Sequence, residues 1–469
     1  MPKGLWDEKN ISRLPGSYNR FLTKAYETIK GGNHGVLAMP IKADWGKTGE
    51  VVEITSLAEL KENFGEDFDF SSYKLGRIAL LGKPEKLLLY RVVDQNAHVG
   101  SVNLQNDEET PKDVIALKTK YKSSRPFNIT VLNNISDENS IDLILYDGTT
   151  EINRIEQVAN NVDSVVEAIN LSMDEITATK IEGASGGLAI VSNVTFTGGN
   201  DGCSEIKLEQ YLEALNEFKK YNFDGFVLDG VTDREIQNVC KSFILQLKEN
   251  GTDVIGFFGG DDDINEANSA SLNFNNENIV NVGIPCTYEG RYYSAAEVAV
   301  YIAALTLSLN LKESLCYRET IFDDVFVKLD KKQMLNATKK GTLILVKEDD
   351  KVIILDDKNT YTTYTEKKGE VFGELRCTRF INIVNQDTLT NNKTSVGKIT
   401  DDEDDKLTFI CSLKKYFEAF QDAKLIRNFT VEIDEDIPED LKSGDAIFWK
   451  WNADYVKVKK RIFGTGYIR

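Results

Sequence analysis

Histidine is nearly absent from this chain. Only His34 and His98 occur in 469 residues, so general acid–base and nucleophilic chemistry lack the side chain that most often carries the proton near neutral pH. Each reads as an isolated surface or turn residue. The six cysteines, at positions 203, 240, 286, 316, 377 and 411, form no CxxC and no Cys/His ligand spacing, and the expectation is buried, reduced thiols with no metal. Positive charge is outnumbered: 56 Lys and Arg stand against 75 Asp and Glu, a formal charge of -19. That surface repels phosphate backbones and argues against a nucleic-acid partner. Long apolar runs are missing too. MPKGLWDEKN has no apolar stretch behind its lysine, and the longest apolar run, Ala295 to Leu311, carries Glu297 and is short for a bilayer. Neither a signal peptide nor membrane insertion is expected.

What is present describes a folded protein. Hydrophobic residues make up 41% and charged residues 28%, with 8 prolines, and the length suggests roughly three domains at about 150 residues each. The first twenty residues hold Leu5, Trp6, Ile11 and Leu14 at no helical period and cannot form a core of their own. They read as a tail or as an arm that docks elsewhere. HGVLAMPI, GEVVEIT and KLLLYRV then read as strands and SLAELKENFG as a short helix. From Ser101 to Thr197 short alternating segments, DVIALK, FNITVL and IDLILYD, suggest a small β-sandwich with one helix near Val162 to Leu171. It closes at FTGGNDGCS, which lacks the Lys-Ser/Thr of a phosphate loop and reads as a linker.

Strand and helix alternate beyond that linker. Leu208, Tyr211, Leu212, Leu215 and Phe218 share one helical face, FDGFVLDG and DVIGFFGG read as strands, and Thr232-x-x-Glu235 and Ser294-x-x-Glu297 read as capping boxes. A parallel, doubly wound sheet follows from this alternation. GTLILV and KVIILDD suggest a hairpin, and EVFGELRCTRFINIVNQDT a long β-rich stretch. A third box, Thr400-x-x-Glu403, opens a helix with an acidic first turn and the stripe Leu407, Ile410, Leu413, Phe417 and Phe420. NFTVEID, DAIFWKW and DYVKVKKRIF read as closing strands. In the last, Val456, Val458 and Ile462 alternate with Lys457, Lys459 and Arg461.

Chemistry is hard to assemble from these parts. Asp229, just after FVL, stands where doubly wound folds often place a functional carboxylate, but no G-x-S-x-G elbow or neighbouring histidine serves it. Asp261 to Asp263 and Asp401 to Asp405 lack the calcium-loop pattern and read as a solvated loop and a dipole-compensating turn. No catalytic residue, metal ligand or cofactor is expected.

Five segments in order resemble the tail sheath proteins of contractile phage tails. They are LPGSYNRF, HGVLAMPIKADWG, FTGGNDG, SAAEVAVYIAALTLSLNLKESLCYRE and VGKITDDEDDKLTFICSLKKYFEAFQDAKLIRNF. The chain looks most like the sheaths of phages and phage-tail-like bacteriocins of Gram-positive bacteria. One departure is the acidic stretch around Asp401, where the family commonly has a less charged turn with Arg. The resemblance implies an α/β and β multidomain fold: a subtilisin-like doubly wound core without a catalytic triad, an inserted β-sandwich facing outward, and a C-terminal α+β domain lining the inside.

It also implies hexameric rings stacked around a tube of a different protein, with baseplate and tail terminator proteins as further partners. Such a particle would be assembled in the bacterial host cytoplasm. Expected divisions are an N-terminal arm over 1–20, core over 21–95 and 200–345, sandwich over 96–199, inner domain over 346–452 and C-terminal arm over 453–469. An apolar edge strand is an aggregation hazard unless another sheet receives it, so both ends are expected to exchange between subunits through Leu5, Trp6, Ile11, Tyr455, Val456, Val458 and Ile462. By the same resemblance the helix from Asp401 to Ala423 faces the tube, with Asp402, Asp404, Asp405, Lys414 and Lys415 as contacts. From residues alone, two classes remain: a force-generating structural subunit, and a hydrolase-like or ligand-binding α/β enzyme decorated by a sandwich.

Overall fold

The computed structural model describes residues 3–5, 17–19, 34–438 and 445–468. It divides into one unit of residues 33–386 with 460–469 and another of 1–32 with 387–459.

The larger unit is built on a seven-stranded sheet in the order Thr342–Leu343, Ile279–Val282, Ile255–Gly259, Gly225–Val227, Val36–Ile41, Lys86–Arg91, Val51–Ile54. All neighbours are parallel except the last pair. VLAMPI is buried along its whole length because helices cover both faces. Leu37, Met39 and Ile41 join the cluster under helix Ala295–Ser308, while Val36 and Ala38 join the one under helices Leu208–Phe218 and Arg234–Glu249. The period of two along one strand thus feeds two cores. Helix Ala295–Ser308 is buried on every face from Val298 to Thr306. Its alanines let it lie close against the sheet, where a Cβ on Gly259 would stand 2.4 Å from the Ala295 carbonyl. Its expected capping box is present, with Ser294 and Glu297 satisfying each other's backbone N–H.

The sandwich consists of a four-stranded sheet, Thr150–Ala159, Ser140–Asp147, Phe127–Asn133, Val191–Thr195, and a three-stranded one, Ile176–Lys180, Asp113–Thr119, Ser101–Gln105, with helix Val162–Ser172. Leu345–Glu348 and Lys351–Ile354 form the expected hairpin.

In the smaller unit, strands Lys3–Leu5 and Ser17–Asn19 pair in parallel. Helix Glu403–Asp422 lies against the antiparallel pair Ile426–Ile433 and Trp449–Tyr455, where Phe417 stacks on Phe429 and meets the Trp451 ring at a tilt.

Several expectations need correction. EVFGELRCTRFINIVNQDT is largely helical: Leu375–Ser395 is one helix. Its β-branched and aromatic residues suggested strands, but Arg376 and Arg379 are buried and donate to the carbonyls of Leu311 and Leu309, so tertiary bonds override local propensity. Helix Ser71–Leu81 was not anticipated. The caps of two helices shift by one or two residues, to Asp233 and Asp402. The last strand ends at Tyr455, and residues 456–468 have no regular structure. Among the described residues, no helix is long and apolar enough to cross a membrane.

Candidate functional site

The point where a doubly wound sheet offers a ligand crevice lies between Val36–Ile41 and Gly225–Val227, because the connections leave these neighbours in opposite directions. Here that point is filled by the protein's own side chains. Asp229 Oδ1 accepts from the Tyr211 hydroxyl at 2.9 Å, Oδ2 accepts from Ser71 Oγ at 3.0 Å, and Lys42 Nζ stands 3.8 Å away. The Asp229 side chain has no exposed surface. Burial pushes its carboxyl above the ordinary carboxylate range, against the pull of Lys42 and the two hydroxyls. Burial, then Asp229, pushes the Tyr211 phenol up as well.

Ser71 Oγ also accepts from the Lys42 backbone N–H at 2.7 Å. It ties two elements together, and no imidazole reaches it. His34 Nδ1 lies 3.1 Å from Asp224 Oδ1, so His34 is not the isolated residue expected. The Cys203 thiol is pushed up to about 12, by burial first and Asp201 second, which removes it as a thiolate at neutral pH. Cys411 is exposed, against the expectation of burial. Among the described residues no group of three or more His, Cys, Asp or Glu could hold a metal ion.

The sandwich is tied to the sheet by a second polar knot. Arg91, fully buried at the end of strand Lys86–Arg91, donates to the carbonyls of Gly46 at 2.7 Å, Lys122 at 2.9 Å and Asp201 at 3.1 Å. Beside it Arg125 grips Asp44 with two hydrogen bonds of 2.5 and 3.1 Å and lies over the Trp45 ring. Trp45 in turn meets Tyr121 and Phe127 edge-on inside the sandwich core.

The residues expected at the chain ends divide into groups. Leu5 lies in strand Lys3–Leu5, whereas Trp6 and Ile11 fall outside the described residues. Tyr455 pairs with Ile426, and the Val456 N–H extends that pairing by donating to the Leu425 carbonyl at 2.9 Å. Val458 and Ile462 take no part in it, and the alternating strand expected through them is not formed: among the described residues no strand pairs with their backbone. Instead Lys460 Nζ pairs with Asp356 at 2.7 Å and approaches Glu374 at 3.9 Å, in a largely buried setting. Beyond it Ile462, Phe463, Tyr467 and Ile468 are 92%, 90%, 89% and 102% exposed. The alternation drew attention to the valines and missed Lys460, Phe463, Tyr467 and Ile468; apolar residues around Gly464 and Gly466 were the available signal.

On helix Glu403–Asp422, Asp402 accepts from the Asp404 N–H at 2.8 Å as the cap, and Asp405 accepts from the Thr400 N–H at 3.1 Å. Asp404, Lys414 and Lys415 are exposed. Ten residues separate Asp404 from Lys414, about 15 Å of helix, so the acidic and basic groups do not form one patch.

Four family models match in order along the chain. They are the tail sheath protein Gp18 domain III N-terminal region over 34–92, the phage tail sheath protein beta-sandwich domain over 93–201, the central domain over 204–360 and the C-terminal domain over 367–469. An uncharacterized Bacillus subtilis protein, YqbK, is 23% identical over 438 residues, 89% of this chain and 90% of its own. The tail sheath protein of Clostridium phage phiCD119 is 27% identical over 180 residues, 38% of this chain and 51% of its own. Among solved structures, the sheath tail protein of Desulfitobacterium hafniense superposes with a TM-score of 0.73 at 18% identity, covering 94% of this chain and all of that one. The contracted sheath of an extracellular contractile injection system gives 0.55 at 8% identity, over 97% and 98% of the two chains. A mixed α/β multidomain fold with a β-sandwich, a ligand crevice closed by its own side chains and four sheath domains in sequence lead to one conclusion: the chain belongs to the phage tail sheath protein family and is a structural, non-enzymatic sheath subunit of a tail or tail-like particle.

Proposed function

We propose that this chain is the repeating subunit of a contractile sleeve. Copies polymerise as stacked hexameric rings around an inner tube of a different protein, and contraction drives that tube through a cell envelope. Baseplate and terminator proteins close the ends, and the particle is assembled in the bacterial host cytoplasm. The observation that carries the reading is the unbroken succession of four sheath domains over residues 34 to 469, with only short joints between them.

In this reading the seven-stranded sheet is a subtilisin-like core that retains the scaffold without the triad, and the sandwich over 96–199 faces outward. The inner domain over 346–452 presents helix Glu403–Asp422 to the tube through Asp402, Asp404, Asp405, Lys414 and Lys415. Both chain ends cross to neighbouring subunits. An exposed apolar C-terminal segment supports that last point, since a lone subunit leaves Ile462, Phe463, Tyr467 and Ile468 in water. Negative-stain electron microscopy of the purified chain, alone and with its tube protein, tests the reading. Regular sleeves of stacked rings are expected, and a protein that stays monomeric with tube present would overturn it.

A further inference from the structure

Helix Lys331–Lys339 runs against the charge of its chain. The net charge is -19, yet residues 331–340 read KKQMLNATKK, four lysines with no acidic group. Met334 and the fully buried Ala337 fasten this helix to the core cluster that contains helix Ala295–Ser308. Lys331, Leu335 and Lys339, spaced by four, share the face turned away from that core, with Lys332 beside them. These three lysines are exposed, Leu335 is 56% exposed, and among the described residues none of the three lysines has an ion-pair partner. A leucine held in water among uncompensated cations gains most from a surface that is apolar at its centre and acidic at its rim.

The larger unit carries such a surface elsewhere. Helices Leu208–Phe218 and Arg234–Glu249 leave an open groove of about 480 Å³ between them, with Leu212, Leu215, Val239 and Phe243 among its walls. Leu212 is 41% exposed. Glu209 and Glu213 share its face of the helix, Glu249 lines the groove, and all three are exposed with no ion-pair partner among the described residues. The nearby cations are engaged: Lys220 pairs with Glu217 at 2.7 Å, and Lys219 lies over the Phe243 ring. The two surfaces do not meet within one chain. Ala337 and Met334 hold the basic helix beside the edge strand Thr342–Leu343, whereas helix Leu208–Phe218 packs on Val36–Ile41, four strands or about 19 Å across the sheet.

We infer that helix Lys331–Lys339 of one copy docks on the groove between helices Leu208–Phe218 and Arg234–Glu249 of a second copy, with Leu335 entering beside Leu212 and the lysines facing Glu209, Glu213 and Glu249. The inference rests on the reading of this chain as a polymerising subunit and adds which faces of the cores meet. Each copy gives one surface and receives with a different one, so the contact is heterologous and propagates as a ring or a helix instead of closing a pair. Burial of the two leucines supplies attraction, and the unlike charges set the orientation and weaken with salt.

The test uses full-length chains in a Cys411→Ser background, Leu335→Cys on one and Leu212→Cys on another that carries a tag of different size. Mixed, assembled with tube protein and mildly oxidised, they should give a disulfide-linked species at the summed mass of the two tagged chains. Sleeves without that species would overturn the inference, and so would Leu212→Cys chains that link only to one another, since the groove would then meet its own copy in a second subunit. Charge gives an independent reading. Lys331→Glu with Lys332→Glu, and Glu209→Lys with Glu213→Lys, should each raise the concentration needed for assembly several-fold, and the four changes in one chain should restore it. Assembly like the parent's from either double variant would overturn the inference. A parent chain that forms no sleeves with tube protein removes the polymerising reading itself, whereas parent sleeves with no Leu335–Leu212 link remove this contact alone.

Discussion

The Arg91 guanidinium donates to the Asp201 carbonyl at 3.1 Å across 110 positions of sequence, and so closes the whole sandwich between its two ends. Removing the sandwich and bridging 95 to 200 looks simple from its turn-rich junctions. The guanidinium would then lose the Lys122 carbonyl, and Trp45 would lose Tyr121 and Phe127. The deletion is therefore expected to aggregate with Arg91 and Trp45 in place and to become soluble when both are replaced by smaller polar residues. Solubility of the bridged chains, measured with and without those replacements, checks this. In the intact chain, Arg91→Met strands three backbone carbonyls and should cost about 2–4 kcal/mol in denaturant unfolding.

Asp229 is expected to matter for stability alone. Asp229→Ala leaves the Tyr211 hydroxyl, Ser71 and Lys42 without their common partner in a dry site. A loss of about 3 kcal/mol is expected. Esterase and peptidase assays should read the same background for both proteins, and a hydrolysis lost specifically with Asp229 would contradict the structural role.

Glu277 gives a pH signature. Burial opposes its ionisation, but Lys248 at 2.8 Å and Lys368 at 2.6 Å outweigh that and hold its carboxyl at about 2, against 4.5 ordinarily. A carboxylate depressed in the folded state adds stability above its unfolded value, and this is lost as pH falls through the folded one. Glu277→Gln should thus cost about 2 kcal/mol at pH 7, with the difference from the parent shrinking between about pH 4.5 and pH 2. Thermal melts across that window measure it.

The acidic start of helix Glu403–Asp422 separates local from surface roles. Asp402→Ala removes the cap and should cost about 1 kcal/mol, whereas Asp404→Lys should leave the melting temperature nearly unchanged. If the helix faces the tube, co-sedimentation with tube protein should fall for Asp404→Lys and further for charge reversal at Asp402, Asp404 and Asp405 together. Unchanged sedimentation of the triple variant would shift attention to Lys414 and Lys415.

Much of the fold was legible because its signals are local. VLAMPI is apolar throughout and KLLLYR carries an unbroken Leu87–Leu89 run, as strands buried on both faces do, and Ser294 with Glu297 announced a helix that does start there. Helix Leu375–Ser395 was illegible because Arg376 and Arg379 are held by carbonyls more than sixty residues away. The last strand stops at Tyr455 for a related reason: alternation specifies a strand only where a neighbour supplies the ladder, and among the described residues none continues it past Val456. Asp229 was legible as a position but not as a plug, since nothing near it in sequence names Tyr211, Ser71 and Lys42 together.

The helix Ala295–Ser308 sets a mechanical limit. Buried on every face from Val298 to Thr306 and lying against Gly259, it cannot slide or rotate by a fraction of a turn without opening voids or driving backbone into backbone. Close-packed layers of this kind are stiff springs that break before they bend. A sleeve made of such blocks would behave as a lattice of hard bodies on pliant tethers, with its elastic response confined to the segments between blocks and its change of length a matter of geometry.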